Sequence, residues 1–262
     1  MSQLFTALIS SKALKMFPER LTNAYEWQGH IPFAFWLMDI IRPAQYVELG
    51  TYKGDSYAAF CQAIQEFGIT CKAHAIDSWE GDSHVGGYGD EIYNDLRQYH
   101  DSKYGAFSRL HRMHFEAAVE SFSEESIDLL HIDGLHTYDA VKNDFETWKS
   151  KLSDRAIVLF HDSAVREREF GVWQYLQELE KEYPIFYFNH SNGLACLLYG
   201  VKASKILKDM ASLSETEADY IRAYFHALGD RVQSYSQVEF WRKESQKLFY
   251  QIELLRNEAH GE

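Results

Sequence analysis

The first residues with a chemical pattern lie around a glycine turn, in the segment 47–56, which reads VELGTYKGDS. Gly50 and Gly54 come straight after a strand pattern and straight before a helix pattern, so the backbone can turn tightly and approach a ligand closely. The GxxxG spacing lacks the middle glycine of a dinucleotide site, and Glu48 places a carboxylate beside the turn. The turn therefore favours a ligand that carries positive charge.

A second acidic position follows at the end of the next strand pattern, in the segment AIDSW at 75–79. Asp77 could accept both hydroxyl groups of a ribose, and the neighbouring Trp79 could cover an adenine. S-adenosylmethionine fits both segments, because it carries a sulfonium and an ammonium group and no phosphate. The alternative is that Gly50 and Gly54 only form a tight turn and that Asp77 caps the following helix.

Two later strand patterns end in further polar residues, in HIDGLHTY at 131–138 and VLFHD at 158–162. Asp133 should project from the carboxyl edge of a sheet, where open α/β folds bind their ligands. His136 follows three residues later and is our candidate for a general base, because imidazole accepts a proton near neutral pH. His131 is interpreted as a buried core histidine.

The elements that position these residues alternate between strand and helix from Gln45 onward. This alternation predicts an α/β fold with a Rossmann-like, seven-stranded, mostly parallel sheet and helices on both faces. Asn192 and Gly193 leave room only for a hairpin between the last two strands, which predicts one antiparallel edge strand. We expect an N-terminal helical cap at 1–44, a core at 45–203 and a helical C-terminal extension at 204–262.

The four motifs together, ELGTxxGxS, AIDSW, IDLLHIDGLHTY and VLFHD, resemble those of class I S-adenosylmethionine-dependent methyltransferases. Within that superfamily the chain is similar to the macrolide-sugar O-methyltransferases and to bacterial methyltransferases associated with glycosyltransferases. The resemblance implies methyl transfer to a hydroxyl group of a sugar or glycan, with His136 as the general base. It implies that the core binds S-adenosylmethionine through Glu48, Gly50, Thr51, Gly54, Ser56, Asp77, Ser78 and Trp79.

The same resemblance implies a metal site. Its families hold a divalent cation with an Asp at the position of Asp133 and with two adjacent residues at the positions of His161 and Asp162. Carried over, these three residues would bind Mg²⁺ or Mn²⁺, which would hold the acceptor hydroxyl and lower its pKa. His161 departs from the usual Asp or Asn, and imidazole suits Mn²⁺ better than Mg²⁺. The alternative is that His161 and Asp162 bond to each other and to the helix that follows.

Composition excludes several other classes of protein. The 262 residues include 26 Lys and Arg against 39 Asp and Glu, for a formal charge of −13, without a basic cluster that could bind nucleic acid. The apolar run 31–41 is shorter than the roughly 20 residues that cross a bilayer. The N-terminus does not resemble a secretory signal, and Cys61, Cys71 and Cys196 form neither a disulfide framework nor a metal motif. We expect a cytoplasmic protein without a transmembrane segment.

The C-terminal extension leaves the question of partners open. Its apolar residues are spaced as a stripe on a long helix, at Phe240, Trp241, Leu248, Ile252 and Leu255. The stripe could pack against its own domain, form a homo-oligomer or bind a partner such as a glycosyltransferase. Two other functions are therefore kept: a noncatalytic cofactor-binding scaffold and a nicotinamide-dependent oxidoreductase. The complete set of Asp133, His136 and Asp162 counts against the first, and Glu48 with the missing glycine counts against the second.

Overall fold

A computed structural model describes residues 3–82, 86–167 and 169–260 of the chain. The strands are β1 (Gln45–Leu49), β2 (Lys72–Asp77), β3 (Gly81–Asp82), β4 (Gly86–Gly87), β5 (Ser108–Arg112), β6 (Ile127–Ile132), β7 (Leu152–His161), β8 (Ile185–Phe188) and β9 (Leu194–Leu198). Strands β3 and β4 pair as a short hairpin, and the others form one sheet in the order β5-β2-β1-β6-β7-β9-β8. The predicted seven-stranded, Rossmann-like sheet is confirmed.

One strand runs against the others. Strand β9 is antiparallel to both β7 and the edge strand β8, whereas β5, β2, β1, β6 and β7 are mutually parallel. The turn before β9 has positive φ values at Ser191, Asn192 and Gly193, which allow the chain to reverse within a few residues. The short link therefore produces the reversed strand at this side of the sheet, where β9 lies between β7 and β8.

The central strands are buried on both faces. Every residue of β6 is buried, and so are residues 46–49 of β1. Helices cover both sides of a parallel sheet, so its strands read as nearly continuous apolar runs instead of alternating ones. The parallel strands all end at the same edge, which brings the polar residues after β1, β2, β6 and β7 together.

The helices are α1 (Gln3–Ser10), α2 (Ile31–Ile41), α3 (Asp55–Glu66), α4 (Asp90–Tyr104), α5 (Phe115–Ala118), α6 (Tyr138–Trp148), α7 (Val172–Leu179), α8 (Lys205–Ala211) and α9 (Glu215–His260). Helix α2 is buried along residues 31–38, as expected for a helix that is apolar all round. Pro32 lies in its first turn, where the missing N–H costs little, and Arg42 ends it in a left-handed conformation.

The long helix α9 divides into a packed part and an exposed part. Phe225 and Val232 are buried, and a Cβ on Gly229 would overlap the carbonyl oxygen of Gly29. The described side chains at 245–253 are all exposed, including Leu248 and Phe249. No helix in the part of the chain that the structure describes is long and apolar enough to cross a membrane.

Candidate functional site

A cleft of about 660 Å³ opens at the carboxyl edge of the sheet. Its volume lies in the range that holds small molecules. Its walls come from residues in the segments 23–27, 50–56, 77–81, 114–116, 133–144 and 161–162. Six predicted cofactor residues lie in these walls: Gly50, Thr51, Gly54, Ser56, Asp77 and Ser78. The structure therefore brings most of the residues selected from the sequence to one place.

The glycine turn is shaped by close backbone packing. Gly50 has φ +84° and Gly54 has φ +80°, a region that other residues rarely adopt. A Cβ on Gly50 would overlap the carbonyl oxygen of Asp133, and a Cβ on Gly54 would overlap the side chain of Leu96. Gly50 thus allows the turn after β1 to lie directly against the loop after β6, and Gly54 allows it to lie against α4.

Asp77 organises the same turn. Its carboxylate accepts hydrogen bonds from the backbone N–H groups of Thr51 (2.8 Å), Tyr52 (2.9 Å) and Trp79 (2.7 Å). Trp79 is fully buried, has φ +52° and donates its indole N–H to the carbonyl of Tyr52 at 2.9 Å. Trp79 is not among the described residues that line the cleft, and the expectation that it covers a ligand's adenine does not fit this position. Asp77 lies in the wall and could bind a ligand while it holds the turn.

Glu48 lies behind the wall of the cleft. It is fully buried, and its carboxylate accepts hydrogen bonds from Tyr46 (2.6 Å), Ser56 (3.1 Å) and His131 (2.8 Å). These donors belong to the protein, and Glu48 is not among the residues that line the cleft. The direct contact with a cationic ligand expected from the sequence therefore does not fit its position. His131 is a buried core histidine whose ring nitrogens make hydrogen bonds within the protein, as interpreted from the sequence.

Asp133, His136, His161 and Asp162 form one hydrogen-bonded cluster at the ends of β6 and β7. Nε2 of His136 lies 2.8 Å from Oδ2 of Asp162 and 3.2 Å from Oδ1 of Asp133. Nδ1 of His161 lies 3.1 Å from Oδ1 of Asp133 and 3.4 Å from Oδ2 of Asp162. The His136 ring also stacks on Phe170, with 4.9 Å between ring centroids. The orientation of both imidazoles is therefore fixed by protein contacts.

The charges in this cluster support one another. Burial by itself would lower the pKa of each histidine, but the two carboxylates outweigh it, raising the pKa of His136 to about 9 and that of His161 well above 6.5. Burial would likewise raise the pKa of Asp133 and Asp162, but the neighbouring His161 holds both well below the usual range of a carboxyl group. The carboxylates therefore favour the protonated form of both imidazoles, and His161 favours the ionised form of both carboxylates.

The two histidines differ in their ability to bind a metal. Nε2 of His161 donates to the backbone carbonyl of Ser191 at 3.1 Å, and its Nδ1 faces the carboxylates, so both ring nitrogens are used within the protein. Asp133, His136 and Asp162 can each offer one ligand atom, and these atoms lie within 4.8 Å of one another. Among the described residues, the geometry thus favours His136 over His161 as the nitrogen ligand.

Among the residues in the cleft walls that were not selected from the sequence are Trp27 and Asp144. Asp144 is 6% exposed, and none of the described residues donates a hydrogen bond to its carboxyl group. Burial first, and then the charge of Glu116, raise its pKa to about 7. A signal for Asp144 was present, because it lies on the apolar stripe that Val141 and Phe145 form on α6. Trp27 lies outside any regular helix or strand, so no periodic pattern marks it.

We expect Asp144→Asn to stabilise the protein at high pH. The folded state holds the pKa of this carboxyl near 7 instead of 3.8, so ionisation destabilises the wild type as the pH rises from about 4 to 7. Asparagine does not ionise, and the variant should be more stable by about 2–4 kcal/mol at pH 8 and no more stable at pH 4. Thermal and urea unfolding at both pH values would measure this difference.

A matched control for this prediction is Asp139→Asn, which changes an exposed carboxylate on the same helix. Its stability should differ from that of the wild type by no more than about 0.5 kcal/mol at either pH. Equal effects of the two substitutions at pH 8 would contradict a buried, ionisation-resistant carboxyl group at position 144.

Comparisons with known proteins agree with this architecture. Residues 47–163, from β1 to the end of β7, match the family model of a methyltransferase domain. In overall fold the chain is similar to a protein of Staphylococcus aureus assigned as a caffeoyl-CoA O-methyltransferase, with a TM-score of 0.53, 15% identity, and coverage of 76% of this chain and 93% of that one. It is also similar to cofactor-bound Rv0187 from MTB, with a TM-score of 0.52, 14% identity, and coverage of 77% and 90%. The match covers the strands that end at the cleft, and the two solved structures share the fold.

One curated relative has a much higher sequence identity. The uncharacterized protein y4gI of Sinorhizobium fredii is 45% identical over 192 residues, which is 73% of this chain. The chain spans 21% of the length of that relative, which is therefore much longer than the part that matches.

Proposed function

We propose that the chain is an S-adenosylmethionine-dependent O-methyltransferase that acts on a hydroxyl group of a sugar or glycan. One observation carries the proposal: the cluster of Asp133, His136 and Asp162 lies in the same cleft as the glycine turn and Asp77. A methyl donor held at the turn would thus lie close to groups that can orient an acceptor and accept its proton.

The cofactor part of the proposal rests on the turn. Gly50 and Gly54 line the cleft, and Asp77 offers carboxylate oxygens at the same wall. Thr51, Ser56 and Ser78 add polar groups to the same wall. In this arrangement Asp77 binds the ribose hydroxyls of S-adenosylmethionine.

His136 is the group that accepts the proton of the acceptor hydroxyl. Its pKa of about 9 means that it is protonated at neutral pH in the unliganded cluster, so it acts as a base only after losing that proton. Phe170 holds the ring plane, and Asp133 and Asp162 fix the direction of Nε2. These contacts orient the imidazole for the transfer.

The residues present fit a divalent cation. Asp133 and Asp162 would hold it through their carboxylate oxygens, and it would supply Lewis-acid stabilisation of the acceptor oxygen, while His136 serves as the base. Carboxylate oxygens suit both Mg²⁺ and Mn²⁺. His161 contributes differently, as a buried cation that keeps both carboxylates ionised.

Binding measurements and an assay for S-adenosylhomocysteine release test the function. We expect thermal stabilisation and calorimetric binding with S-adenosylmethionine and not with NAD or NADP. Mn²⁺ should bind to the wild type and to a lesser extent to Asp162→Asn. Sugars and nucleotide sugars should stimulate S-adenosylhomocysteine release, and stimulation by catechols alone would overturn the sugar acceptor. Binding of NAD instead of S-adenosylmethionine would favour the oxidoreductase.

A scaffold role is the second candidate, and the exposed part of α9 favours it. Trp241 is 66% exposed and Phe249 is 63% exposed, and such large apolar side chains often contact a partner. The partner would be a second copy of the chain or a glycosyltransferase. Light scattering of the full chain and of Trp241→Glu would detect self-association, while an inert wild type in the release assay would favour the scaffold.

A further inference from the structure

A buried chain of hydrogen bonds connects Glu48 to the wall of the cleft. Strands β1 and β6 place Glu48 and His131 opposite each other in register. Nδ1 of His131 lies 2.8 Å from Oε2 of Glu48, and Trp27 donates its indole N–H to Nε2 of the same ring at 3.1 Å. Glu48 and His131 are fully buried, and Trp27 is 5% exposed.

The donors and acceptors in this chain have only one consistent assignment. An indole N–H can donate and cannot accept, so Nε2 of His131 must be the acceptor. The proton of the neutral ring therefore lies on Nδ1 and points to the carboxylate of Glu48. The nearer oxygen of Asp133 is 4.0 Å from Nε2, beyond hydrogen-bond distance. The indole of Trp27 and the carboxylate of Glu48 thus favour the same tautomer of His131.

Residues 19–27 form one side of the cleft, and we call this segment the strap. Trp27 is its last residue. Asp55 accepts hydrogen bonds from the backbone N–H of Thr22 at 2.8 Å and from its hydroxyl at 2.5 Å. On the other side, Gln233 of α9 donates to the carbonyl of Tyr25 at 3.0 Å. The strap has no regular secondary structure, so its position depends on such contacts, and the bond to His131 fixes its end at Trp27.

Trp27 is also placed beside the reactive cluster. It lines the cleft together with Asp133 and His161, and its ring centroid is 6.5 Å from that of His161. The methyl group must be transferred next to this cluster if the proposed function holds. Trp27 therefore occupies the wall where the cofactor meets the acceptor.

We propose that Glu48 is a positioning residue, which holds the tautomer of His131 so that His131 keeps the indole of Trp27 in contact with bound S-adenosylmethionine. The inference rests on the proposed function for the identity of the ligand, and on the geometry of three buried side chains for the rest. It replaces the direct contact between Glu48 and the cofactor that the sequence suggested.

The test combines calorimetry with S-adenosylhomocysteine and the NMR signal of the Trp27 indole N–H, which is assigned with Trp27→Phe. Glu48→Gln should weaken binding about tenfold and move the Trp27 signal, because the amide no longer selects the Nδ1–H tautomer. Tyr46→Phe is the matched control, since it removes another donor to the same carboxylate. It should leave the affinity within about twofold and the Trp27 signal in place.

Two results would overturn the inference. One is a Glu48→Gln protein that binds S-adenosylhomocysteine as tightly as the wild type. The other is weakened binding with an unmoved Trp27 signal, which would mean that Glu48 contacts the cofactor directly. If Glu48→Gln does not fold, Trp27→Phe provides the test, because it keeps an aromatic ring at this position but lacks the indole N–H donor. Wild-type affinity of Trp27→Phe for S-adenosylhomocysteine would then overturn the inference.

The proposed function fails separately from the positioning role. A wild type that does not bind S-adenosylmethionine or S-adenosylhomocysteine would refute the function, whatever the NMR spectra show. The inference about the cofactor contact would fall with it, while a moved Trp27 signal in Glu48→Gln would still demonstrate the hydrogen-bond chain.

Discussion

Replacing His136 with alanine is expected to lower the rate of methyl transfer by roughly two to four orders of magnitude, with cofactor affinity within about twofold of the wild type. His136 lines the cleft, and its Nε2 contacts both Asp133 and Asp162. Without it the acceptor hydroxyl loses the group that takes its proton. The S-adenosylhomocysteine release assay measures the rate, and calorimetry measures the affinity.

The pH dependence of the wild type follows from the same residue. Asp133 and Asp162 outweigh burial and raise the pKa of His136 to about 9, so the basic form becomes more populated as the pH rises. The rate should therefore increase between pH 7 and pH 9, and His136→Ala should lose this increase. Free imidazole should restore part of the activity of the variant, because it can enter the space that the side chain leaves.

The control is His226→Ala, which removes a histidine from the exposed surface of α9. It should leave both the rate and the affinity unchanged. Retention of more than about a tenth of the wild-type rate in His136→Ala would contradict its role as a base. A large loss of cofactor affinity in that variant would assign His136 to the cofactor site instead.

Gly50→Ala is expected to have the second large effect, on the fold and the cleft together. A side chain at φ +84° costs about 1–2 kcal/mol, and its Cβ would also overlap the carbonyl oxygen of Asp133. The obstacle is backbone, so either the turn or the loop after β6 must move. We expect a loss of about 3 kcal/mol in stability and about a hundredfold weaker binding of S-adenosylhomocysteine.

Gly68→Ala provides a matched control for the backbone conformation alone. Gly68 has φ +57°, and a Cβ there would meet nothing within 4 Å. It should lose only about 1 kcal/mol and bind S-adenosylhomocysteine normally. Thermal unfolding and calorimetry on both variants separate the effect of φ from that of the overlap. Equal losses of stability and affinity in the two variants would show that the overlap with Asp133 has no effect of its own.

The fold could be predicted from the sequence because the patterns that indicate strands, helices and turns are local. The strand patterns before Gly50 and in the segment 75–79 correspond to β1 and β2, and the apolar run 31–41 forms α2. Buried parallel strands and a fully buried helix both leave such runs, and the residues between them mark their ends. The hairpin before β9 was predicted for the same reason, from two residues that favour a reversal.

Only some of the residues of the cleft could be predicted from such local patterns. Asp77 ends a strand, and Gly50, Asp133 and Asp162 follow directly after strands. The carboxyl ends of parallel strands meet at one edge, so the convergence of these residues follows from the fold. Trp79 also follows a strand, but its backbone N–H binds Asp77 and its ring turns inward. Position next to a strand end thus predicts where a residue lies and leaves the direction of its side chain open.

By itself, then, the sequence determined the order and type of the elements and the edge of the sheet at which the polar residues gather. The tertiary structure decided which of these residues face the cleft. Trp27 and His131 are 104 positions apart and share a hydrogen bond, and the other ring nitrogen of His131 contacts Glu48. A buried polar group must bind whichever partner the folded chain brings beside it, and that partner depends on strand register and loop packing, which a local pattern does not contain.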